Sequence, residues 1–137
     1  MKLQPYVYFD GRAEEAIEFY RKAIGAELVM LMRFKQAPEQ SMISPGIGEK
    51  VMHATLRIGE TTVLISDGRC GGEARFAGFS LALRPSSDAE AEKIFKALSD
   101  GGKVTMPLAK TFFATSFGML ADRFGVPWMI VVERTNA

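Results

Sequence analysis

The order of predicted strands and helices repeats once along the chain, and this repeat restricts the fold more than any other feature. In the first half, a short aromatic strand at residues 6–9 precedes a helix at residues 12–24 and then three strands. In the second half, the same order of strand, helix and three strands begins at residue 76. The sequence therefore predicts two βαβββ modules of ~70 residues each.

Local signals support each predicted element of the first module. Apolar residues recur at helical spacing through residues 12–24, where Asp10 is placed to cap the helix and Gly25 to end it. Residues 51–58 alternate between apolar and polar side chains, as expected of a strand with one buried face. The two residues Gly59 and Glu60 then predict a tight hairpin. The remaining predicted strands are residues 27–34 and 61–66.

The second module carries matching signals. Ser87 and Glu90 have the spacing of a capping box at the start of a helix, which Gly101 and Gly102 end. Residues 110–116 are predicted to form a loop. The predicted strands are residues 76–83, 103–108, 117–121 and 127–133.

One helix covers only one face of a four-stranded sheet. The other face must be buried by the second module, by a partner chain or by a ligand. We therefore predict a single α+β domain over residues 1–137, with module one at about 1–67 and module two at about 76–137, and we expect a homodimer. Two ferredoxin-like units are the alternative, because βαβ patterns overlap between the folds.

Composition excludes several classes of function. The chain has 137 residues, enough for one domain, and a formal net charge of +1, which gives no basic face for nucleic acid. Its one cysteine, Cys70, cannot form an intrachain disulfide. The N-terminus lacks an apolar signal core, and no apolar run reaches the roughly 18 residues of a membrane span. We therefore expect a cytoplasmic protein that binds neither nucleic acid nor membranes.

Five stretches together resemble a known superfamily. They are YFDGRAEEAIEFY at residues 8–20, VMHA at 51–54, Ser66-Asp67, VTMPL at 104–108 and DRFGVPW at 122–128. The chain is similar to the vicinal oxygen chelate superfamily, which includes glyoxalase I, bleomycin-resistance proteins and extradiol dioxygenases, and within it resembles the PhnB-like branch. The resemblance implies two modules that form a curled mixed sheet around a cleft, with helices on the outer face.

Metal enzymes of that superfamily take His and Glu ligands from the first and last strands of each module. This chain departs from that pattern, because Pro5, Gly78 and Met129, or close neighbours, occupy those places. Asp67, just past the fourth strand, is one oxygen ligand where three or four are needed. We therefore predict no metal and no cofactor. Some PhnB-like proteins are labelled ubiquinone-pathway methyltransferases, but the sequence has no glycine-rich strand-to-helix nucleotide loop.

Two residues are candidates for catalysis. His53, the only histidine, lies on the strand face opposite Met52 and Ala54, and is a candidate general base or ligand-binding residue. Asp67 ends a strand beside a glycine-rich loop and is a candidate to orient His53 or to bind substrate. The alternatives are a structural histidine and an aspartate that caps a turn.

The remaining candidates are ligand-binding residues. Arg57 shares the face of His53 and is a candidate anion clamp, with an exposed edge position as the alternative. Aromatic side chains are candidates to line the cleft, with plain core packing as the alternative for each; they are Tyr6, Tyr8, Phe113, Phe117 and Trp128. As a group they indicate an apolar or aromatic ligand.

The sequence thus favours a metal-independent small-molecule binding protein of the bleomycin-resistance or PhnB-like type. The alternative is a lyase, isomerase or dioxygenase-like enzyme that uses His53 and Asp67 or a bound divalent metal. A structural homodimer without a small ligand is the third reading, and whether the protein is an enzyme stays open at this stage.

Overall fold

The structure, a computed structural model, describes residues 1–39, 45–68 and 74–135. These residues form two compact units, Met1–Ala74 and Arg75–Ala137. Each unit contains one α-helix and a four-stranded mixed sheet, which confirms the α+β class and the repeated βαβββ order. The described elements are β1 (Tyr6–Tyr8), α1 (Ala13–Ile24), β2 (Glu27–Arg33), β3 (Val51–Ile58), β4 (Thr61–Ser66), β5 (Leu81–Leu83), α2 (Asp88–Ser99), β6 (Lys103–Ala109), β7 (Ala114–Ala121) and β8 (Pro127–Glu133), with a 3₁₀ turn at Phe34–Gln36.

The sheet of the first unit has the order β1-β4-β3-β2, in which β1 runs parallel to β4 and the other neighbours are antiparallel. Val7 pairs with Ile65, which pairs with Ala54, and all three are buried beneath α1. Because side chains alternate along a strand, Tyr6 and Tyr8 point to the opposite face.

Helix α1 packs on this sheet through its buried residues Ala16, Ile17 and Tyr20. Gly25 ends the helix in the left-handed conformation, with φ of 67°, as the sequence predicts. The predicted cap at Asp10 is wrong, because the helix starts after Arg12 without a local side-chain cap. Asp10 instead occupies a turn with φ of 52°.

The second unit repeats this arrangement, with strand order β5-β8-β7-β6 and β5 parallel to β8. Its helix approaches the sheet closely at Gly118, where an added Cβ would lie 2.7 Å from Cε2 of Phe95. Gly118 and its neighbour Ile130 therefore mark the helix side of the sheet. The capping box is confirmed in part: the Ser87 hydroxyl accepts a bond from the Glu90 amide, whereas the Glu90 carboxylate accepts from Ser86.

Two predicted boundaries in this unit are wrong. Strand β5 is only Leu81–Leu83, not residues 76–83, because Gly78 adopts φ of 79° and interrupts the extended backbone. Strand β7 starts at Ala114, inside the predicted loop, since Ala114 pairs with Glu133 across a bulge at Thr115.

Neither helix of the described residues is long and apolar enough to cross a membrane. Cys70 lies outside the described residues.

Candidate functional site

The face of the first sheet opposite α1 carries most of the predicted site residues of that unit. Two rows of residues that pair across the strands define this face. The first row is Tyr6, Leu64, Thr55 and Met30. The second contains the pair Tyr8 and Ser66 and the pair His53 and Met32. We call these eight residues the aromatic face. The prediction that Tyr6 and Tyr8 share one face, with His53 opposite Ala54, is confirmed by this register.

Tyr6 is the centre of the polar contacts on the aromatic face. Its hydroxyl lies 2.9 Å from Nδ1 of His53, and the centroids of the two rings are 5.6 Å apart. The Ser66 hydroxyl lies near the Tyr6 phenol and accepts a hydrogen bond from the Gly68 amide at 2.9 Å. The ring of Tyr6 stacks on Tyr8, with centroids 4.9 Å apart and an interplanar angle of 21°. Phenol, imidazole and hydroxyl groups thus meet beside a stacked pair of rings.

The surroundings of Tyr6 favour its neutral phenol. Burial raises its pKa above the ordinary value of 10.0, and the neighbouring Tyr8 raises it further, whereas the nearby Ser66 hydroxyl opposes the shift. Tyr6 therefore keeps its O–H at neutral pH and can donate it or accept a bond from a ligand. Both rings remain accessible, since Tyr6 is 41% and Tyr8 54% exposed.

Asp67 lies directly after β4, but its carboxylate is buried and bonded to the backbone. One oxygen accepts from the amides of Gly11 and Ala13 at 2.7 and 2.8 Å, and the other accepts from Val51 at 2.9 Å. These bonds join the start of α1 and the start of β3 to the end of β4. Asp67 thus caps the N-terminus of α1, although it is 54 residues from Ala13 in the sequence, and the N-cap residue Arg12 makes no side-chain cap.

Arg57 lies on the same sheet face as His53, near the other end of β3. Its guanidinium forms an ion pair with Glu27 on β2, and both side chains are exposed. Arg57 is thus exposed, as the alternative has it, but it is not at the sheet edge, because β3 lies between β4 and β2.

The second unit presents an apolar surface on the face opposite α2. Ala82, Met129, Met119 and Met106 follow one another across its four strands. Phe113 and Phe117 are predicted ligand-binding residues, and their rings form an edge-to-face pair with centroids 5.2 Å apart. Phe117 pairs with Val131 on this face, and Phe113 is 43% exposed.

Trp128, also predicted to bind ligand, lies in the core of the second unit. It is 1% exposed, and its indole N–H donates to Oδ2 of Asp122 at 2.8 Å. The other Asp122 oxygen accepts from the amides of Phe124 and Val126 at 2.9 and 3.0 Å. Trp128 shares the helix side of the sheet with Ile130, so its burial argues against the predicted ligand contact.

The residues at the superfamily's ligand places do not fit a divalent metal. On β1 and β4 they are Tyr6, Tyr8 and Ser66, and on β5 and β8 they are Ala82 and Met129. The structure corrects the sequence alignment here, because Gly78 precedes β5 and Ala82 takes the corresponding place. Two phenols, a hydroxyl and a thioether lack the imidazole and carboxylate donors of such sites. Within the described residues, no three His, Cys, Asp or Glu side chains come together.

Sequence reasoning missed two features of these sites. The first is Ser66, to which sequence reasoning assigned no site role and whose hydroxyl lies near the Tyr6 phenol on the aromatic face. The second is the methionine row of the second unit, Met106, Met119 and Met129. The alternation of Met119 with Leu120 and of Met129 with Ile130 was the available signal, but both partners are apolar, so the two faces could not be told apart.

Comparisons with known proteins agree with this architecture. A family model described as 3-demethylubiquinone-9 3-methyltransferase matches residues 1–131. Protein YjdN of Escherichia coli K12 is 35% identical over 142 residues, which cover 98% of this chain and 97% of YjdN. Protein PA1353 from Pseudomonas aeruginosa has a TM-score of 0.87 and 38% identity, covering 98% of this chain and 99% of that one. The PhnB protein from Bacillus cereus has a TM-score of 0.80 and 28% identity, covering 96% and 99%.

Proposed function

The chain belongs to the family described as 3-demethylubiquinone-9 3-methyltransferase, within the PhnB-like branch of the vicinal oxygen chelate superfamily. We propose that it is a metal-independent small-molecule binding protein. Its ligand is a small apolar or aromatic molecule that lies on the aromatic face of the first unit. One observation carries the proposal: the Tyr6 hydroxyl and His53 Nδ1 are hydrogen-bonded beside the stacked ring of Tyr8.

The chemistry of this cluster defines the ligand in outline. The half-exposed rings of Tyr6 and Tyr8 offer planar apolar surface, on which an aromatic ring gains stacking energy of about 0.5–1.5 kcal/mol. Met30 and Met32, in the same cross-strand rows, supply flexible and polarizable contacts that adapt to ligand shape. The phenol and imidazole provide neutral polar contacts in the middle of this surface. A planar ligand with one or two polar substituents matches that combination best.

We propose that the ligand binds without a metal ion. Where the superfamily's enzymes hold a metal with imidazole and carboxylate groups, this chain has Tyr6, Tyr8 and Ser66 in its first unit. Asp67, the nearest carboxylate in sequence, is buried and bonds three backbone amides. The proposal therefore rests on Tyr6, Tyr8 and His53 and assigns Asp67 the role of holding β3, β4 and α1 together.

The description of the matched family names a methyltransferase that acts on a quinone precursor. Such a ring is planar and carries hydroxyl groups, so it falls within the ligand class proposed here. Methyl transfer also requires a methyl donor, and the sequence contains no glycine-rich strand-to-helix loop to bind a nucleotide cofactor. We therefore propose that such a ring is one type of ligand, but we do not propose that the protein transfers a methyl group to it.

A thermal-shift screen in buffer that contains EDTA tests the proposal. A panel of aromatic metabolites and aromatic antibiotics should include compounds that raise the melting temperature, since a ligand that binds only the folded state stabilises it. The same compounds should stabilise Tyr6→Phe less. The proposal is wrong if no compound stabilises the protein, or if all hits stabilise wild type and Tyr6→Phe equally.

The quaternary structure and the cellular location are also proposals. We propose a cytoplasmic homodimer, because exposed apolar side chains remain in both units; they include Val29, Met30, Met106 and Phe113. Burial of such side chains between subunits is a common source of dimer stability. Sedimentation equilibrium over a range of protein concentrations tests this, and a monomer mass throughout would contradict it.

A further inference from the structure

An open cavity lies on the second unit, on the helix side of its sheet. It has a volume of about 490 Å³, opens to solvent, and lies between one side of α2, the end of β6 and the start of β7. We call it the α2 cavity, and we propose that it binds a small organic carboxylate with an apolar body. Its lining residues are Glu92, Phe95, Lys96, Leu108, Ala109, Lys110, Thr115 and Ser116.

Equivalent positions of the two helices carry different residues, so the cavity is not a consequence of the repeated fold. Both helices have 12 residues, so their positions can be matched one by one. The fifth position is Ile17 in α1, which is 1% exposed, but Glu92 in α2, which is exposed at the cavity. The eighth position is Tyr20 in α1 and the smaller Phe95 in α2. Apolar bulk in α1 is thus replaced in α2 by a charged residue and a shorter aromatic one.

The ninth position differs in its ionic contacts. In α1 it is Arg21, which forms an ion pair with Glu18 at 2.9 Å. In α2 it is Lys96, and among the described residues neither Lys96 nor Lys110 forms an ion pair. Neither ammonium group is in salt-bridge contact with a described carboxylate, although the charge of Lys110 acts on Asp88, so both can contact an anion at the cavity.

The two hydroxyl groups of the cavity already have a partner. The hydroxyls of Thr115 and Ser116 donate to Oδ1 of Asp88 at 2.7 and 2.6 Å. These two bonds, with a contribution from the charge of Lys110, hold the pKa of Asp88 below its ordinary value. The lysines are therefore the donors that remain for a ligand, since the hydroxyl protons are directed at Asp88.

The cavity floor and the balance of charge narrow the ligand class. Phe95, Leu108 and Ala109 are the apolar residues of the lining, and the Phe95 ring lies against Gly118. The lining has two ammonium groups and the Glu92 carboxylate, and the Asp88 carboxylate lies behind the two hydroxyls, so the excess of positive charge at the cavity is small. A monoanion with an apolar body matches this better than a dianion, and the volume falls within the roughly 300–1,000 Å³ of small-molecule sites.

Nuclear magnetic resonance titration of the full chain with sodium benzoate tests the proposal at constant ionic strength. Amide shifts should centre on α2 and on residues 108–116, and benzyl alcohol, the uncharged counterpart, should bind at least about threefold more weakly. Lys96→Gln and Lys110→Gln should each weaken benzoate binding by about 3–10-fold, whereas Glu92→Gln should tighten it by about 2–3-fold. Lys93→Gln is the matched control: it makes the same charge change on the exposed side of α2 and should leave the dissociation constant unchanged.

Three results would overturn the proposal. The first is benzoate shifts that lie elsewhere in the chain or are absent at millimolar concentrations. The second is a loss of affinity in Lys93→Gln equal to that in Lys96→Gln, which would indicate unspecific attraction. The third is that L-phenylalanine binds more tightly than benzoate and that Glu92→Gln abolishes this preference. That result would identify a site for a zwitterion. Because these shifts map to the second unit, the outcome is independent of ligand binding at Tyr6 and His53.

Discussion

The hydroxyl of Tyr6 lies 2.9 Å from Nδ1 of His53, although the two residues are 47 positions apart. Tyr6 is on β1 and His53 on β3, so the bond crosses β4, which lies between them in the sheet. The Ser66 hydroxyl of β4 lies near the same phenol and lowers its pKa, against the larger effect of burial. Three neighbouring strands therefore each contribute one polar group to the same part of the aromatic face.

This environment makes the ionisation of Tyr6 measurable. The protein has three tyrosines, so the difference between the alkaline absorbance titrations of wild type and Tyr6→Phe isolates the signal of Tyr6. We expect its midpoint above 10.0, because burial and Tyr8 disfavour the phenolate. The raised pKa stabilises the fold below pH 10, and this contribution is lost as the pH rises through the folded-state value. A midpoint at or below 10 would contradict the described geometry.

Substitution of Asp67 tests its structural role. Asp67→Asn keeps the size of the side chain but removes the charge that accepts three backbone N–H groups. The free energy of unfolding, measured in urea, should fall by about 2–3 kcal/mol. Asp10→Asn is the matched control, because Asp10 is in a turn with positive φ that asparagine tolerates, and its effect should stay below about 0.5 kcal/mol. Equal effects of the two substitutions would exclude the role assigned to Asp67.

Asp67 also shows where sequence reasoning reached its limit. The helix α1, its buried side and its terminal glycine follow from local periodicity and were predictable. The cap was assigned to Asp10 because capping signals are sought next to the helix, whereas the actual acceptor arrives from the end of β4. Hydrogen bonds between distant segments leave no periodic trace in the sequence.

The candidate site was predictable to a similar extent. Alternation along β1 and β3 placed Tyr6, Tyr8 and His53 on their correct faces, but nothing local indicated that Tyr6 and His53 are bonded partners. Trp128 shows the opposite problem: alternation identified its strand but not which side α2 covers. The close approach of α2 at Gly118, which fixes that side, depends on tertiary packing.

The burial of Trp128 gives a spectroscopic prediction. It is the only tryptophan, is 1% exposed and donates to Asp122. Its fluorescence should therefore be blue-shifted in the native protein and poorly quenched by acrylamide, and both properties should be lost on unfolding in guanidinium chloride. Native emission and quenching close to those of free tryptophan would show that the side chain faces solvent.

Metal removal should have little effect on the protein. The donors at the superfamily's ligand places are phenols, a hydroxyl and a thioether, which do not form a site for a divalent ion. We expect purified protein to contain far less than one equivalent of Zn, Ni, Mn or Fe by elemental analysis, and EDTA to leave its melting temperature unchanged. A stoichiometric metal whose removal destabilises the protein would contradict the metal-independent proposal.

Titration with 2-naphthol in the presence of EDTA, followed by amide chemical shifts, tests the central claim most directly. This planar neutral phenol should bind with a Kd of about 1 mM or tighter, and should shift the amides of Tyr6, Tyr8 and His53. Tyr6→Phe should weaken binding by about 3–10-fold, since one hydrogen bond contributes about 0.5–1.5 kcal/mol. Tyr20→Phe makes the same chemical change beneath α1, outside the aromatic face, and should leave the Kd unchanged even if stability falls. Shifts confined to the first sheet and sensitive to Tyr6 support the account; saturable binding elsewhere, or equal affinity in Tyr6→Phe and wild type, would contradict it.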